Sequence, residues 1–359
     1  IAAALRSKMP PSPVSRLRTT LRDVAQAVGV SHVTVSLALR GDPRISAGRR
    51  DEIKAIAKKM GYRPDPMLSA LAAYRAGKRL QRPCAPIAWI NQWHDPGPLR
   101  RFQEFDAYWR GADGAAEQLG YRLAEFAVGP RQSGRDLGKM LRAHNVGGIL
   151  IPPHPHGLRL PGFPWDSFSV VRLGASVPTP RAHVVTSDQA NGVAIAFERV
   201  LQRGYRRIGF VTSRVFYRHT GGNPLAGYLE AQIEHVPPPQ RLPPLVLDER
   251  RGARHAGALA RWLKGARPEA IITTFSPLTR LLAKLGCRVP SDVAVATSSV
   301  RDADCDCGMD QNSYQIGLVG MRTLAELIRR HERGVPDHCQ RILMEGRWVD
   351  GASLPWRER

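Results

Sequence analysis

Acidic residues are scarce in this chain and cysteines scarcer. Its 359 residues hold 31 Asp and Glu against 53 Lys and Arg, with only five cysteines. An odd set of thiols (Cys84, Cys287, Cys305, Cys307, Cys339) without framework spacing argues against a disulfide-stapled scaffold and fits reduced thiols. No stretch of about 18 apolar residues occurs, so no transmembrane helix is expected. Residues 1–17 lack an apolar core of signal-peptide length before Pro10-Pro11-Ser12-Pro13. That points to the cytoplasm and to a disordered basic tail over 1–18, with Met9 as a candidate start. There is no P-loop, no Gly-x-Ser-x-Gly elbow and no His-Glu-x-x-His, and the run Gly221-Gly222 lacks dinucleotide spacing. Asp304-Cys305-Asp306-Cys307 has ligand-type side chains but no second pair at matching spacing. It reads as a solvated acidic loop, and neither a metal nor a cofactor is expected.

What the chain has in excess is positive charge, unevenly spread. Residues 1–82 hold 17 Lys and Arg against 5 Asp and Glu, over half of the net +22. A basic segment of this kind points to a polyanionic partner, although general solubility also accounts for the surplus further on. Within it, Leu21, Val24, Ala25 and Val28 recur at helical spacing and predict a helix with one apolar face. Gly29 supplies a left-handed end, and Ser31 an N-cap for the next helix. There Val35, Ala38 and Leu39 form one stripe, which leaves His32, Val33, Ser36 and Leu37 pointing outward. A third helix follows from a Ser46 cap, with Ile53, Ile56, Ala57 and Met60 on one face up to Gly61. Two steeply angled helices with the outer face of the second left free make a helix-turn-helix, which can enter a major groove. Beyond it, Asp65 can cap a helix with Pro66 at its first position and 67–74 as its body, too short to be stable alone. The stretch Gly77-Lys78-Arg79-Leu80-Gln81-Arg82-Pro83 reads as a basic linker.

The ordered set Asp23-Val24-Ala25, Gly29-Val30-Ser31, Thr34-Val35-Ser36 and Gly61-Tyr62-Arg63-Pro64 resembles the headpiece of the LacI/GalR family of bacterial transcription regulators. The resemblance implies a DNA-binding headpiece over 19–64, with Thr20, Ser31, His32, Val33, Thr34, Ser36, Leu37 and Arg40 at the DNA. It further implies that 65–84 form a hinge helix and linker that order on DNA, with Leu71 entering the minor groove. His32, Val33 and Leu37 fill positions where better-known members carry Tyr, Gln and Arg. Apolar contact, suited to thymine methyls, then replaces bidentate hydrogen bonding.

From Pro86 short apolar strands alternate with amphipathic helices. Ile87-Ala88-Trp89-Ile90, Gly148-Ile149-Leu150-Ile151-Pro152, Val184-Val185-Thr186, Arg207-Ile208-Gly209-Phe210-Val211, Ala270-Ile271-Ile272-Thr273 and Val293-Ala294-Val295-Ala296 read as strands. Helices are expected over 105–119, 189–203 and 276–285. The alternation predicts an α/β domain with parallel sheets covered by helices. Asp188 through Gly204-Tyr205-Arg206-Arg207-Ile208, Arg288-Val289-Pro290-Ser291-Asp292-Val293, residues 317–327 and Gly346-Arg347-Trp348-Val349-Asp350-Gly351 resemble the two-lobed, periplasmic-binding-protein-like effector domain of the same family. That domain would span 85–355.

Open α/β sheets bind ligands at the carboxyl ends of their strands. This places Asn91, Trp93, Pro152, Asp188, Asn191, Asn223, Phe275 and Gln311 near a cleft as effector-binding candidates. Trp93 or Phe275 could stack on a sugar face while Asp188 accepts its hydroxyls, although each aromatic also reads as core. Two departures stand against the family pattern. Pro224 occupies the place, three before Gly227, of a usual Arg, and Phe275-Ser276 replaces a usual Asn-Asp. A sugar or related metabolite is therefore the family default only.

These readings converge on a sequence-specific DNA-binding transcriptional regulator, a repressor, switched by a small-molecule effector, and not on an enzyme. Its expected partners are a pseudo-palindromic double-stranded DNA operator, the effector and a second copy of the chain, with no membrane. The resemblance implies a homodimer assembled through the large domain, expected to use helix faces near residues 108–115 and the adjoining lobe. A solute-binding protein and an α/β enzyme are the alternatives. The headpiece and the missing signal peptide oppose the first, and the missing catalytic motifs oppose the second.

Overall fold

Thr20 and Asp23 start the first helix by closing a capping box. The Asp23 amide donates to Thr20 Oγ1 (3.3 Å) while Asp23 Oδ2 accepts from the Thr20 amide (2.7 Å). In this computed structural model the described residues are 19–39, 42, 44–62, 85–93, 95, 97–129, 132–155, 157–248 and 255–357. The expected tail over 1–18, Arg40, and the hinge segment with Leu71 lie outside them. Contacts divide the chain into Ile1–Pro83 and Cys84–Arg359.

The first unit holds α1 (Leu21–Val28), α2 (His32–Leu39) and α3 (Ala47–Lys59). Gly29, at φ +70°, ends α1 in the left-handed conformation that a side chain would resist. Val24, Ala25, Val35, Ala38, Ile53 and Ala57 form the buried centre, with Leu21, Leu39, Met60 and Tyr62 around it. Ser46 stands at the start of α3, but its side chain makes no capping bond. Arg49 Nη2 instead ties α3 to the Val28 carbonyl of α1 at 3.2 Å.

The second unit contains two parallel sheets. The first lobe comprises β1 (Ala85–Asn91), α4 (Gly97–Arg101), α5 (Gln103–Gln118), β2 (Tyr121–Ala127), α6 (Gly134–Ala143), β3 (Gly148–Ile151), β4 (Ser169–Leu173) and β5 (His183–Ser187). The chain then crosses to α7 (Gln189–Gln202), β6 (Ile208–Ser213), α8 (Arg214–His219), α9 (Asn223–His235), β7 (Leu245–Leu247), α10 (His255–Ala266), β8 (Ala270–Thr273), α11 (Leu278–Lys284), β9 (Ala294–Thr297) and β10 (Gly308–Asp310). It returns through α12 (Ser313–Arg330) and β11 (Arg341–Met344) to the first sheet, and ends on the second with β12 (Arg347–Val349). The sheet orders are β11-β5-β4-β3-β1-β2 and β12-β10-β9-β8-β6-β7. Among the described strands only the β10–β12 pair is antiparallel. Central strands such as Ile87-Ala88-Trp89-Ile90 are buried on both faces, as helix-covered parallel strands are.

The three crossings are bonded to one another. The Asp188 amide donates to the Met344 carbonyl (2.8 Å), and Asn312 Nδ2 donates to the Glu345 carbonyl (2.7 Å). Ser187 Oγ donates to Gln311 Oε1 (2.9 Å). Asp310 pairs with Arg301 (3.3 Å) and Arg347 (3.2 Å).

Helices α5 and α12 meet backbone to backbone. A Cβ on Gly111 would lie 1.9 Å from the Tyr314 carbonyl oxygen, and one on Gly317 would lie 1.9 Å from that of Tyr108. Tyr108, Ala112 and Ala115 pack there with Ile316, Met321 and Leu324. Those three residues of the 108–115 segment are taken up inside the first lobe, while Trp109, Arg110, Asp113 and Gly114 on the same helix keep exposed surface. Gly317→Ala must push the helices apart, and it is expected to destabilise the domain by about 1–3 kcal/mol, read as a lower urea midpoint. Gly265→Ala, in α10 of the same unit with nothing within 4 Å of the new Cβ, is the control and is expected not to lower that midpoint.

Candidate DNA-reading helix and ligand cleft

The turn before α2 leaves part of one helix face exposed among the described residues. Ser31 Oγ accepts the Thr34 amide (3.1 Å), and its hydroxyl meets that of Thr34 at 2.9 Å, so the cap sets the start of α2. Val35 and Ala38 turn into the core, while His32 and Val33 are exposed and Ser36 and Leu37 half-buried. Val33 is 53% exposed, an apolar side chain that the headpiece itself does not cover. Arg22, Lys54, Lys58 and Lys59 are exposed on α1 and α3. Of the residues expected at DNA, Thr20, Ser31 and Thr34 also have local capping bonds, and Arg40 lies outside the described residues.

In the second unit a cavity of about 400 Å³ opens between the lobes, where the strands of both sheets end. The first lobe supplies Trp93 after β1, Pro153 and His154 after β3, Gly174 and Ser176 after β4, and Phe102, Glu104 and Phe105 from the start of α5. The second supplies Ser213, Phe216, His219 and Thr220 after β6, Phe275 and Ser276 after β8, and Ser298, Ser299 and Asp302 after β9. Gln189 and Gln311 lie at the crossings. On the first lobe the rings run in series. Trp93 is 5.7 Å from Phe102 and 6.2 Å from Phe105, and Phe105 is 6.0 Å from Tyr108. Trp93 Nε1 donates to the Pro153 carbonyl at 3.0 Å, which fixes its plane.

Of the eight sequence candidates, Trp93, Phe275 and Gln311 line this cavity. Asn91 is fully buried, bonded to Glu125 (2.6 Å) and to the Trp93 amide (3.0 Å). Asp188 caps α7 through the Asn191 amide (3.3 Å), and the Asn191 side chain is exposed. The Pro152 carbonyl accepts from His154. Asn223 faces an adjoining cavity of about 50 Å³ beside Arg172 and Arg341, which shares Ala175, Thr186 and Gln189 with the cleft. The residues that sequence reasoning missed fall into two groups. Ser213, Phe216, Ser298 and Ser299 follow strand ends and were within reach of the same rule. Phe102, Glu104 and Asp302 come from a helix start and a long loop brought together across the cleft.

That loop carries the contacts between the lobes. Asp302 of the second lobe accepts the Gln103 amide (2.9 Å) and the Glu104 amide (3.1 Å), capping α5 from outside its own lobe. Glu104 in turn accepts the hydroxyls of Ser299 and Ser313. Burial pushes the Glu104 carboxyl above its ordinary range, and the two hydroxyls and Arg301 oppose that rise. Farther along, Asp304 accepts the amides of Thr279 (3.2 Å) and Arg280 (2.9 Å) at the start of α11, and Asp306 accepts those of Ala352 and Ser353 (2.9 Å each). The Asp304–Cys307 stretch is therefore an amide-binding loop rather than a solvated one. Burial pushes the Cys305 thiol up to about 12 and that of Cys307 to about 11, so neither is poised as a thiolate ligand. No group of three or more His, Cys, Asp or Glu that could hold a metal exists among the described residues.

Two family models match the chain. Residues 20–65 match "Bacterial regulatory proteins, lacI family", and residues 197–354 match "Periplasmic binding protein-like domain". The chain belongs to the lacI family of bacterial regulatory proteins.

Among lacI-family relatives, an HTH-type transcriptional regulator of Mycolicibacterium smegmatis is 28% identical over 221 residues, 60% of this chain and 57% of the relative. The match thus spans little more than half the length of that protein. The HTH-type transcriptional regulator GntR of Escherichia coli is 25% identical over 342 residues, 92% of each chain. Two solved structures share the fold. A transcriptional regulator CelR–cellobiose complex has a TM-score of 0.57 and 20% identity, covering 94% of this chain and 100% of that one. The lac repressor dimer bound to operator and the anti-inducer ONPF has a TM-score of 0.53 and 17% identity, covering 94% and 99%. No helix among the described residues is long and apolar enough to cross a membrane.

His154, on the cleft wall, offers a test of the site's rigidity. Its Nδ1 faces the Pro152 carbonyl (2.7 Å), and its Nε2 accepts the Gln92 amide (3.0 Å), a lone pair that protonation would remove. Burial pushes its pKa down from 6.5 to about 4. Below 6.5 the unfolded chain takes up a proton that the folded one refuses, so stability falls as pH drops from 6.5 toward 4. Melting temperatures at about pH 7 and about pH 5 are expected to drop more for the wild type than for His154→Gln. Equal drops would remove His154 from the account.

Proposed function

We propose that this lacI-family chain is a sequence-specific transcriptional regulator, a repressor, whose hold on a pseudo-palindromic operator is set by a small molecule in the interlobe cleft. The observation that carries the reading is the exposure of His32 and Val33 at the start of α2, in a chain that also carries a cavity of about 400 Å³ at its strand ends. The working division is a tail over 1–18, a headpiece over 19–64, a hinge helix and linker over 65–84, and an effector and dimerisation domain over 85–355. Leu71, outside the described residues, is the proposed minor-groove wedge. A mobility-shift assay on DNA selected from a random pool tests the main claim. Binding is expected to show one repeated half-site and to fall steeply with salt.

His32, Val33 and Leu37 support a code read mainly by apolar contact. Leu37→Arg is accordingly expected to change the selected half-site while retaining affinity. An unchanged motif for that variant, sequenced from the same pool, would sink the assignment.

One headpiece covers little DNA, so the regulator is proposed to act as a dimer. Helix α9 offers a surface for a second copy. Leu229 and Ile233, one turn apart, are 41% and 65% exposed. Sedimentation is expected to show Ile233→Glu shifted toward the 39.7 kDa monomer relative to the parent chain. An unshifted variant would place the contact elsewhere.

A further inference from the structure

The polar side chains with the greatest hydrogen-bonding capacity on the cleft wall are already committed within the protein. The Glu104 oxygens accept Ser299 and Ser313, and those of Asp302 accept two amides of α5. The Gln311 amide runs from Ser187 Oγ (2.9 Å) to the Ser298 carbonyl (3.0 Å). Both ring nitrogens of His154 are engaged by backbone. Among the described lining residues there is no Lys or Arg, in a chain of net charge +22. The guanidinium of Arg172 donates to the Val177 and Ala182 carbonyls, and that of Arg341 is exposed; both lie at an adjoining cavity of about 50 Å³ that shares Thr186 and Gln189 with the cleft.

What faces the space is mainly apolar, with rings from both lobes, Trp93, Phe102 and Phe105 on one side and Phe216 and Phe275 on the other, and Ser and Thr hydroxyls between them. A fully hydroxylated sugar enclosed here would set much of its polar surface against ring carbon, and each hydroxyl left without a partner weakens binding. An acid or a phosphate would lose its water with no Lys or Arg among the described lining residues to replace it. A flat ring, by contrast, can lie in offset or edge contact with rings on both walls. It needs only the few groups left over, such as the Gln189 amide and the Ser276 hydroxyl.

We infer that the cleft takes an uncharged, flat, largely apolar ring compound, an aromatic carrying only a few hydroxyls, in place of the sugar that family membership suggests. This rests on the proposed reading of the cleft as the effector site and names the ligand class for it.

Calorimetric titration of the full chain tests the inference. The probes are 4-hydroxybenzyl alcohol and coniferyl alcohol as neutral rings, glucose and cellobiose as neutral polyols, and gluconate and glucose 6-phosphate as anions. The better ring probe is expected to bind at least about tenfold more tightly than any polyol or anion. Phe275→Ala and Phe102→Ala, both at partly exposed positions, are each expected to weaken it by about fivefold or more, while melting stays near that of the parent. Tighter binding of a polyol or anion, no ring binding up to the solubility limit, or ring binding unmoved by both substitutions would overturn the inference. Operator retention measured with the same probes separates the two levels. A sugar that binds and alters retention refutes the ligand class and leaves the cleft as the control site. A ring that binds in the cleft without altering retention keeps the class and refutes the control role.

Discussion

The crossing of α5 over α12 sets the geometry of everything that faces the cleft. Each helix has a glycine opposite a carbonyl of the other, Gly111 against Tyr314 and Gly317 against Tyr108, so the two axes come as close as backbones allow. Neither helix can roll without driving a carbonyl into a Cα. The first turn of α5 is thereby held toward the second lobe, where Asp302 meets its free amides. The first turn of α12 is held at the crossing, where Ser313 meets Glu104. The aromatic series from Phe102 to Tyr108 rides on the same helix, so the shape of the ligand space follows from two residues that lack side chains.

Acidic residues are few in this chain, and the loop after β9 shows what some of them do. Asp302, Asp304 and Asp306 alternate along it, and each accepts backbone amides of a different segment: α5, α11 and the chain after β12. Helix starts expose unpaired N–H groups, and a carboxylate satisfies two of them while its charge complements the helix dipole. In such a basic protein these carboxylates act as fasteners. They are not acids held ready for chemistry, and the cleft is left with rings and hydroxyls.

Legibility in the sequence divides along the same line between local and distant causes. The headpiece could be read almost residue by residue, because Gly29, the Ser31 cap and the Val24–Val35–Ile53 core all follow from spacing within a few turns. Ser46 was the exception, a good capping residue whose side chain makes no capping bond. Buried strands such as 87–90 and 270–273 declared themselves as unbroken apolar runs. Edge and terminal strands did not: β2 carries Arg122 and Glu125, and β10 to β12 are short segments defined by their partners. At the cleft the strand-end rule found Trp93, Phe275 and Gln311. It also drew in Asn91 and Asp188, whose polar groups serve the backbone there. Glu104 and Asp302, about 200 positions apart, met only through the fold.

The three crossings bear on the order in which the molecule can be made. The first sheet needs β11 and the second needs β12, so neither lobe is a continuous stretch of chain. A ribosome delivers residues from the amino end, and the headpiece helices can pair as soon as they emerge. The first lobe must instead wait for α12 and β11, with β1 to β5 long since exposed. The second waits for the final strand at 347–349. Both lobes therefore complete almost together, near the end of synthesis, and a chain cut short before Arg341 leaves two unfinished sheets rather than one finished lobe.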